Sequence, residues 1–237
     1  MTGTILNTAA VVLAGLLGTF LGDRLPERIR HTVMAGIGLT TLLIGMQMAL
    51  KTQHLLIVLA SVALGGIVGE LLGIEAGLER LARWLEARLG ALATVGGKAG
   101  GTASFTRAFV TSSLVFCVGP MTIIGSLQAG LTGNYQTLAV KSMLDAFAGL
   151  AFASTLGIGV AFSAVTVLLY QGLLTLGAGF LKAALTDAMV TEMTAAGGLL
   201  ILGIGFQLLD IRRIRVANLL PALLLAPLGV AYLGAWL

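Results

Sequence analysis

Charge is scarce in this chain. Only 10% of its residues are Asp, Glu, Lys or Arg, against 57% hydrophobic, where an ordinary soluble domain carries about 25%. The few charges bunch between long apolar runs. Cysteine is scarcer still: Cys117 is the only one, which excludes an intrachain disulfide and any cysteine-based metal cluster and leaves it as a small packed apolar residue. Histidine occurs only at His31 and His54, and HExxH, GxSxG and a His paired with Ser or Cys inside a span are all missing. Zincin and hydrolase chemistry therefore lack their machinery. The glycine-rich segment around Lys98 fails the Walker pattern, because position 92 is Leu and Lys98 is followed by Ala99. Alternation of period two is also missing, which argues against a porin-like barrel. What remains is an all-α polytopic membrane protein, with no enzyme activity, cofactor or nucleic-acid partner expected.

Long apolar runs fill the space the absences leave. A helix needs roughly 20 residues to cross about 30 Å of hydrocarbon, and eight candidate crossings fit: 3 to 21, 33 to 50, 55 to 74, 108 to 130, 140 to 157, 160 to 181, 194 to 210 and 217 to 236. The first lacks a basic leader and a small-x-small cleavage site, and reads as a retained helix. The fifth and sixth are separated only by Leu156-Gly157-Ile158-Gly159, a turn or a kink. Basic residues set the orientation. Eleven fall in the odd-numbered connections (Arg24, Arg28, Arg30; Arg80, Arg83, Arg88, Lys98, Arg107; Arg212, Arg213, Arg215) and three in the even-numbered ones (Lys51, Lys141, Lys182). Since basic flanks stay cytoplasmic, both termini are expected on the periplasmic side of a bacterial inner membrane.

One internal echo stands out. Ala35 to Gln47, AGIGLTTLLIGMQ, returns 160 residues later as Ala195 to Gln207, AAGGLLILGIGFQ, with identity at Ala35/Ala195, Gly38/Gly198, Leu39/Leu199, Leu42/Leu202, Ile44/Ile204, Gly45/Gly205 and Gln47/Gln207. That offset aligns the first three crossings with the last three across five crossings, so the copies would be inverted, a plan common among transporters. The connection after Gln47 carries Lys51 and His54, whereas its counterpart after Gln207 carries three arginines. Opposite insertion requires that reversal. The whole chain, 1–237, is then one transmembrane domain. It comprises a first copy over 1–74, an interfacial helix and Gly-rich loop over 75–107, irregular central helices over 108–159 and the inverted copy over 160–237.

In the connection, Leu78, Leu81, Leu85 and Leu89 recur at helical spacing opposite Glu79, Arg80, Arg83, Glu86 and Arg88, with Trp84 at the border. This describes a helix at the cytoplasmic headgroup level, supported by the i, i+4 pair Glu79 and Arg83. Thr94 to Arg107 reads as a flexible entry or gating segment. Tyr232 and Trp236 fit an aromatic belt at the outer interface.

Polar groups inside apolar spans mark the candidate site, because their presence there is costly. Asp145 lies near the start of an apolar run, with Lys141 one turn earlier as substrate ligand or structural partner. Before it, Gly119 and Pro120 break the fourth crossing, and a broken helix lining a cavity offers backbone carbonyls. Thr122, Ser126, Gln128 and Asn134 add oxygens of the kind that suit a small cation; close helix packing is the competing explanation. Gln47 and Gln207 are expected to line opposite vestibules, with Gly157 and Gly159 as gating positions. Glu70 is expected to snorkel from the third helix, and Asn7, Gln171 and Asn218 to serve packing. Gly65, Gly66 and Gly69 offer a small-residue face for a homodimer.

The run GPMTIIGSLQAGLTGNYQTLAVKSMLDAFAGLAFASTLGIGVAFSA, with LAGLLGTFLGDRLPERIR before it and GIGFQLL after it, resembles a bacterial family of integral membrane proteins that includes YdfK and YqgA. The resemblance implies an inner-membrane location and a sodium channel or pump; it carries no residue roles. The expected function is transport of a small solute, a cation such as sodium in preference, as a channel or as a carrier with sodium-ion or proton coupling. A membrane scaffold or sensor recruiting partners through the helix around Trp84 is the alternative.

Overall fold

The structure, a computed structural model, describes residues 1–22, 24–93 and 102–233. Among these residues every regular element is helical. The order is α1 (Thr2–Gly22), α2 (Glu27–Ala49), α3 (Leu55–Leu72), α4 (Ile74–Ala93), α5 (Thr102–Val118), α6 (Pro120–Thr132), α7 (Gln136–Leu156), α8 (Gly159–Leu176), α9 (Ala178–Ala184), α10 (Asp187–Leu208), a 3-10 turn (Val216–Leu219) and α11 (Ala222–Leu233). Six of them, α1, α2, α3, α7, α8 and α10, are long and apolar enough to cross a membrane, and α5 with α6 makes a seventh if that bent pair is one span. Eight uninterrupted crossings are not found. The run expected over 217–236 is divided between the 3-10 turn and the short α11, with Pro221 before α11 and Pro227 inside it, because each proline removes a backbone donor. Trp236 lies outside the described residues, as do Lys98 and residues 94–101 of the expected gating segment.

Two breaks have identifiable causes. At Gly157 the backbone takes φ +91°, a conformation glycine adopts without steric penalty, so the Leu156 to Gly159 motif is a turn between two helices. At Gly119 the chain bends by 60°. Pro120 is the first residue of α6, where its missing N–H costs nothing, and it disfavours helical backbone at the residue before it.

The chain packs as two compact units. The first comprises Met1–Met34, Glu79–Cys117 and Met121–Leu181. In it α1 runs alongside α7 and antiparallel to α8. Glycines of α1 permit this approach: a Cβ at Gly15 would lie 2.6 Å from that of Ala161 on α8, and one at Gly18 would lie 2.8 Å from that of Ala153 on α7. Leu13, Leu16, Leu17 and Phe20 on the other side of α1 are exposed, as lipid-facing residues would be. Ala82 of α4 is buried against Phe105 and Phe109 of α5, while Leu81 and Trp84 are exposed, as lipid-facing residues of an interfacial helix would be. The Glu79–Arg83 pair is present at 3.5 Å. The side chains of Leu85, Glu86 and Leu89 lie outside the described residues.

The second unit comprises Ala35–Leu78, Val118–Pro120 and Lys182–Leu237. Small residues bring its helices together, with Ala195 and Ala196 of α10, Ala222 and Ala226 of α11 and Val58 of α3 in one core. Gly45 of α2 faces Gly198 and Leu202 of α10, and Gly65 of α3 faces Ala222. Gly66 faces the Leu219 side chain, and Gly69 the backbone of Asn218. These three glycines are covered within the chain, and the surface they were expected to offer a second copy is occupied.

Candidate functional site

Helix α7 buries its charged residues and turns large apolar ones outward. Met143, Leu144 and Phe147 are exposed, while Lys141, Ser142, Asp145, Gly149, Phe152 and Ala153 are buried. One buried stripe thus carries both charges, and the i, i+4 spacing lets the Lys141 ammonium donate to Asp145 Oδ2. Neighbouring helices extend the cluster. Asn7 of α1 donates its amide from Nδ2 to Asp145 Oδ2 at 2.9 Å and to Gln171 Oε1 of α8 at 3.0 Å. Near it, the hydroxyls of Thr4 and Thr175 lie 3.2 Å apart. Asn7 and Gln171 have no exposed surface.

Hydrogen-bond capacity remains unused in this centre. Among the described residues Asn7 Oδ1 and Gln171 Nε2 have no partner, and Ser126 Oγ, buried on α6, has none and is not hydrogen-bonded to this cluster. Among the described residues Asp145 receives both its donors on Oδ2 and none on Oδ1. Each buried polar group left unpaired costs about 1–3 kcal/mol, so a cluster with several of them is a place where a polar ligand gains affinity. Nearly all buried polar groups in folded proteins are paired.

Family comparison places this centre inside a shared sequence. Residues 2–231 match a protein family of unknown function, DUF554. The chain belongs to that family. It is 35% identical over 235 residues to the uncharacterized protein YqgA of Escherichia coli (strain K12), covering 99% of this chain and 98% of that one. It is 27% identical over 242 residues to the uncharacterized membrane protein YdfK of Bacillus subtilis (strain 168), covering 100% of this chain and 98% of the relative. No solved structure matches. The resemblance read from the central run is confirmed, and the membrane setting agrees with the name of YdfK.

Other candidates are distributed differently from expectation. Thr122 is buried and donates to the Phe116 carbonyl at 3.1 Å, so one carbonyl released by the bend is already taken by a side chain. Gln128 is exposed on α6 and Asn134 in the α6–α7 turn, where Gln128 Oε1 accepts from Thr137 and Asn134 Oδ1 from the Gln136 N–H. They do not join Asp145. Gly159 fits closely against Phe105 and Ala108 of α5 and, with Gly157, shapes a turn. Gln47 is exposed, whereas Gln207 is half-buried and donates to the Ile214 carbonyl. Asn7 and Gln171, assigned to packing from sequence, are the residues that complete the site.

A second buried carboxylate lies in the second unit. Glu192 of α10 is 1% exposed and accepts from Thr52 Oγ1 at 2.6 Å and from the backbone N–H groups of Gln53 and His54 at 2.7 and 3.1 Å. It thereby satisfies donors at the start of α3. Its signal in the sequence is an acid at the margin of an apolar run; the expected crossing starts at residue 194 and leaves Glu192 in the connection, whereas α10 begins at Asp187. At the other end of α3, Glu70 pairs with Arg215 and accepts from Asn218, and Asn218 Oδ1 accepts from the Glu75 N–H at 2.8 Å. Glu70 is an ion-paired residue, and Asn218 ties the 3-10 turn to the junction of α3 and α4.

Proposed function

We propose that this DUF554 protein moves a small solute across the bacterial inner membrane, with the Asp145 centre as its binding site and two inverted three-helix copies as its frame. The observation that carries the proposal is the set of unpaired buried polar atoms beside an ion pair where three apolar helices meet. A purely structural network would pair them.

Inversion is supported by contacts in each unit taken separately. In the second unit, Gly45 meets Leu202 and Gly205 meets Leu42, while Gly198 meets Met48 and Ala49, and Gly38 meets Leu208 and Leu209. Shifting each residue by 160 turns the first contact of each pair into the second. Between α3 and the last helices, the same exchange carries Gly69–Asn218 to Val58–Gly229, one residue from the observed contact of Gly229 with Ile57. In the first unit it carries Thr4–Thr175 to Gly15–Ala164, within a turn of the observed Gly15–Ala161. The helices that the echo makes equivalent, α1 and α8, α2 and α10, and α3 and the last helices, are thus antiparallel pairs, as an inverted duplication requires.

A cation such as sodium is one candidate solute, since Asp145 and Asn7 Oδ1 are hard oxygen donors. It would meet Asp145 at Oδ1, beside the Lys141 ammonium held on Oδ2. Movement would run downhill or be coupled to an ion gradient. Purified protein in liposomes tests the proposal by flux of sodium and of small organic solutes. If nothing crosses, and Asp145→Asn alters neither flux nor solute-dependent thermal stability, transport is wrong. The alternative of a scaffold rests on the exposed Leu81 and Trp84 of α4 and would then take its place.

A further inference from the structure

Resting on the transport proposal, a narrower conclusion follows from the charge and hydrogen-bond inventory of the Asp145 centre. Among the described residues of the first unit the only buried charged side chains are Lys141 and Asp145. Their charges cancel before any solute arrives. A bare monovalent cation would leave the centre with a net positive charge in a low-dielectric setting, and an anion would leave it negative; each is a large electrostatic penalty. A solute carrying one charge of each sign leaves it neutral.

The open hydrogen-bonding positions divide in the same way. On the accepting side are Asp145 Oδ1, which receives no donor, and Asn7 Oδ1. On the donating side are Gln171 Nε2 and the Lys141 ammonium, which spends one of its three protons on Asp145. An ammonium group needs the first set and a carboxylate the second. We propose that the solute is a small α-amino acid bound as its zwitterion, with its ammonium toward Asp145 and Asn7 and its carboxylate toward Lys141 and Gln171, entering between the two charges that neutralise each other in the empty centre. Its size is bounded by the enclosure, because Asn7 and Gln171 have no exposed surface.

The test uses the full chain, purified and reconstituted. Thermal stability and uptake are measured with glycine and L-alanine. The comparison probes are glycinamide, which lacks the carboxylate, N-acetylglycine, which lacks the ammonium, and sodium chloride. The zwitterions should stabilise the protein and be taken up, while the three comparison probes do neither. Asp145→Asn leaves Lys141 unpaired and risks misfolding, so Asn7→Ala and Gln171→Leu, which keep the ion pair, carry the mutational arm. Each should weaken glycine binding roughly tenfold, the equivalent of one hydrogen bond. If sodium chloride alone stabilises the protein and crosses the membrane, transport stands and the amino-acid assignment is overturned. If glycine and L-alanine bind no better than N-acetylglycine, or if both variants bind like wild type, the assignment is likewise overturned. If no probe moves at all, transport itself fails.

Discussion

Replacing Asp145 by Asn leaves the Lys141 ammonium buried without its countercharge, and replacing Lys141 by Met strands the carboxylate. Breaking one side of a buried pair costs about 3–5 kcal/mol, whereas removing both charges is often neutral. Either single variant should therefore unfold well below wild type in detergent, while the double variant Lys141→Met with Asp145→Asn recovers most of the loss. A loss in the double variant equal to the sum of the two single losses would show that the two charges act independently. The same logic applies to Glu192, whose carboxylate accepts from three groups at the start of α3. Glu192→Ala should lose about 1–3 kcal/mol in all, since the donors it leaves belong to half-buried or exposed residues, and Thr52→Val less than Glu192→Ala; stability of the two variants equal to wild type in thermal unfolding would contradict this. Asp145 was visible in the sequence because a charge inside an apolar run is conspicuous. Asn7 and Gln171 were not, since their bonds join residues 138 and 164 positions apart and nothing local distinguishes a ligand amide from a packing amide.

Helices cross closely here because glycine leaves out a side chain, and the same residue on an open face has no such duty. A Cβ at Gly45 would lie 2.7 Å from the Leu202 backbone nitrogen, and at Gly36, nine residues earlier on the same helix, it would meet nothing within 4 Å. Gly45→Ala should therefore destabilise the fold, and Gly36→Ala should stabilise it by up to about 1 kcal/mol through helix propensity. Thermal unfolding of the two variants checks this, and an equal response would mean that the α2–α10 crossing is looser than described. On α4 the helical spacing was legible, but the contact of Ala82 with Phe105 and Phe109 of α5 was not, because it joins residues distant in the sequence. The bend at Gly119 was legible for the opposite reason, since proline acts on the backbone whatever surrounds it.

Topology links the sequence echo to function at the scale of the whole molecule. Lys51 follows α2 and Arg212 follows α10, both side chains are exposed, and the two positions are equivalent in the duplicated sequence within one residue of the 160-residue offset. Between them lie α3, the bent α5–α6 pair, α7, α8 and α10. If α5–α6 is one span, five crossings separate the two positions and they face opposite sides; if it is a re-entrant loop, four do and they face the same side. The balance of basic residues favours the first arrangement, with Lys51 outside and Arg212 in the cytoplasm. Single cysteines at Lys51 and at Arg212, each in a Cys117→Ala background, can be probed in intact cells with a membrane-impermeant maleimide. Lys51→Cys should label directly and Arg212→Cys only after permeabilisation. Labelling of both from outside would make α5–α6 re-entrant and remove the inversion, because two copies inserted the same way cannot exchange antiparallel contacts about an axis in the membrane plane.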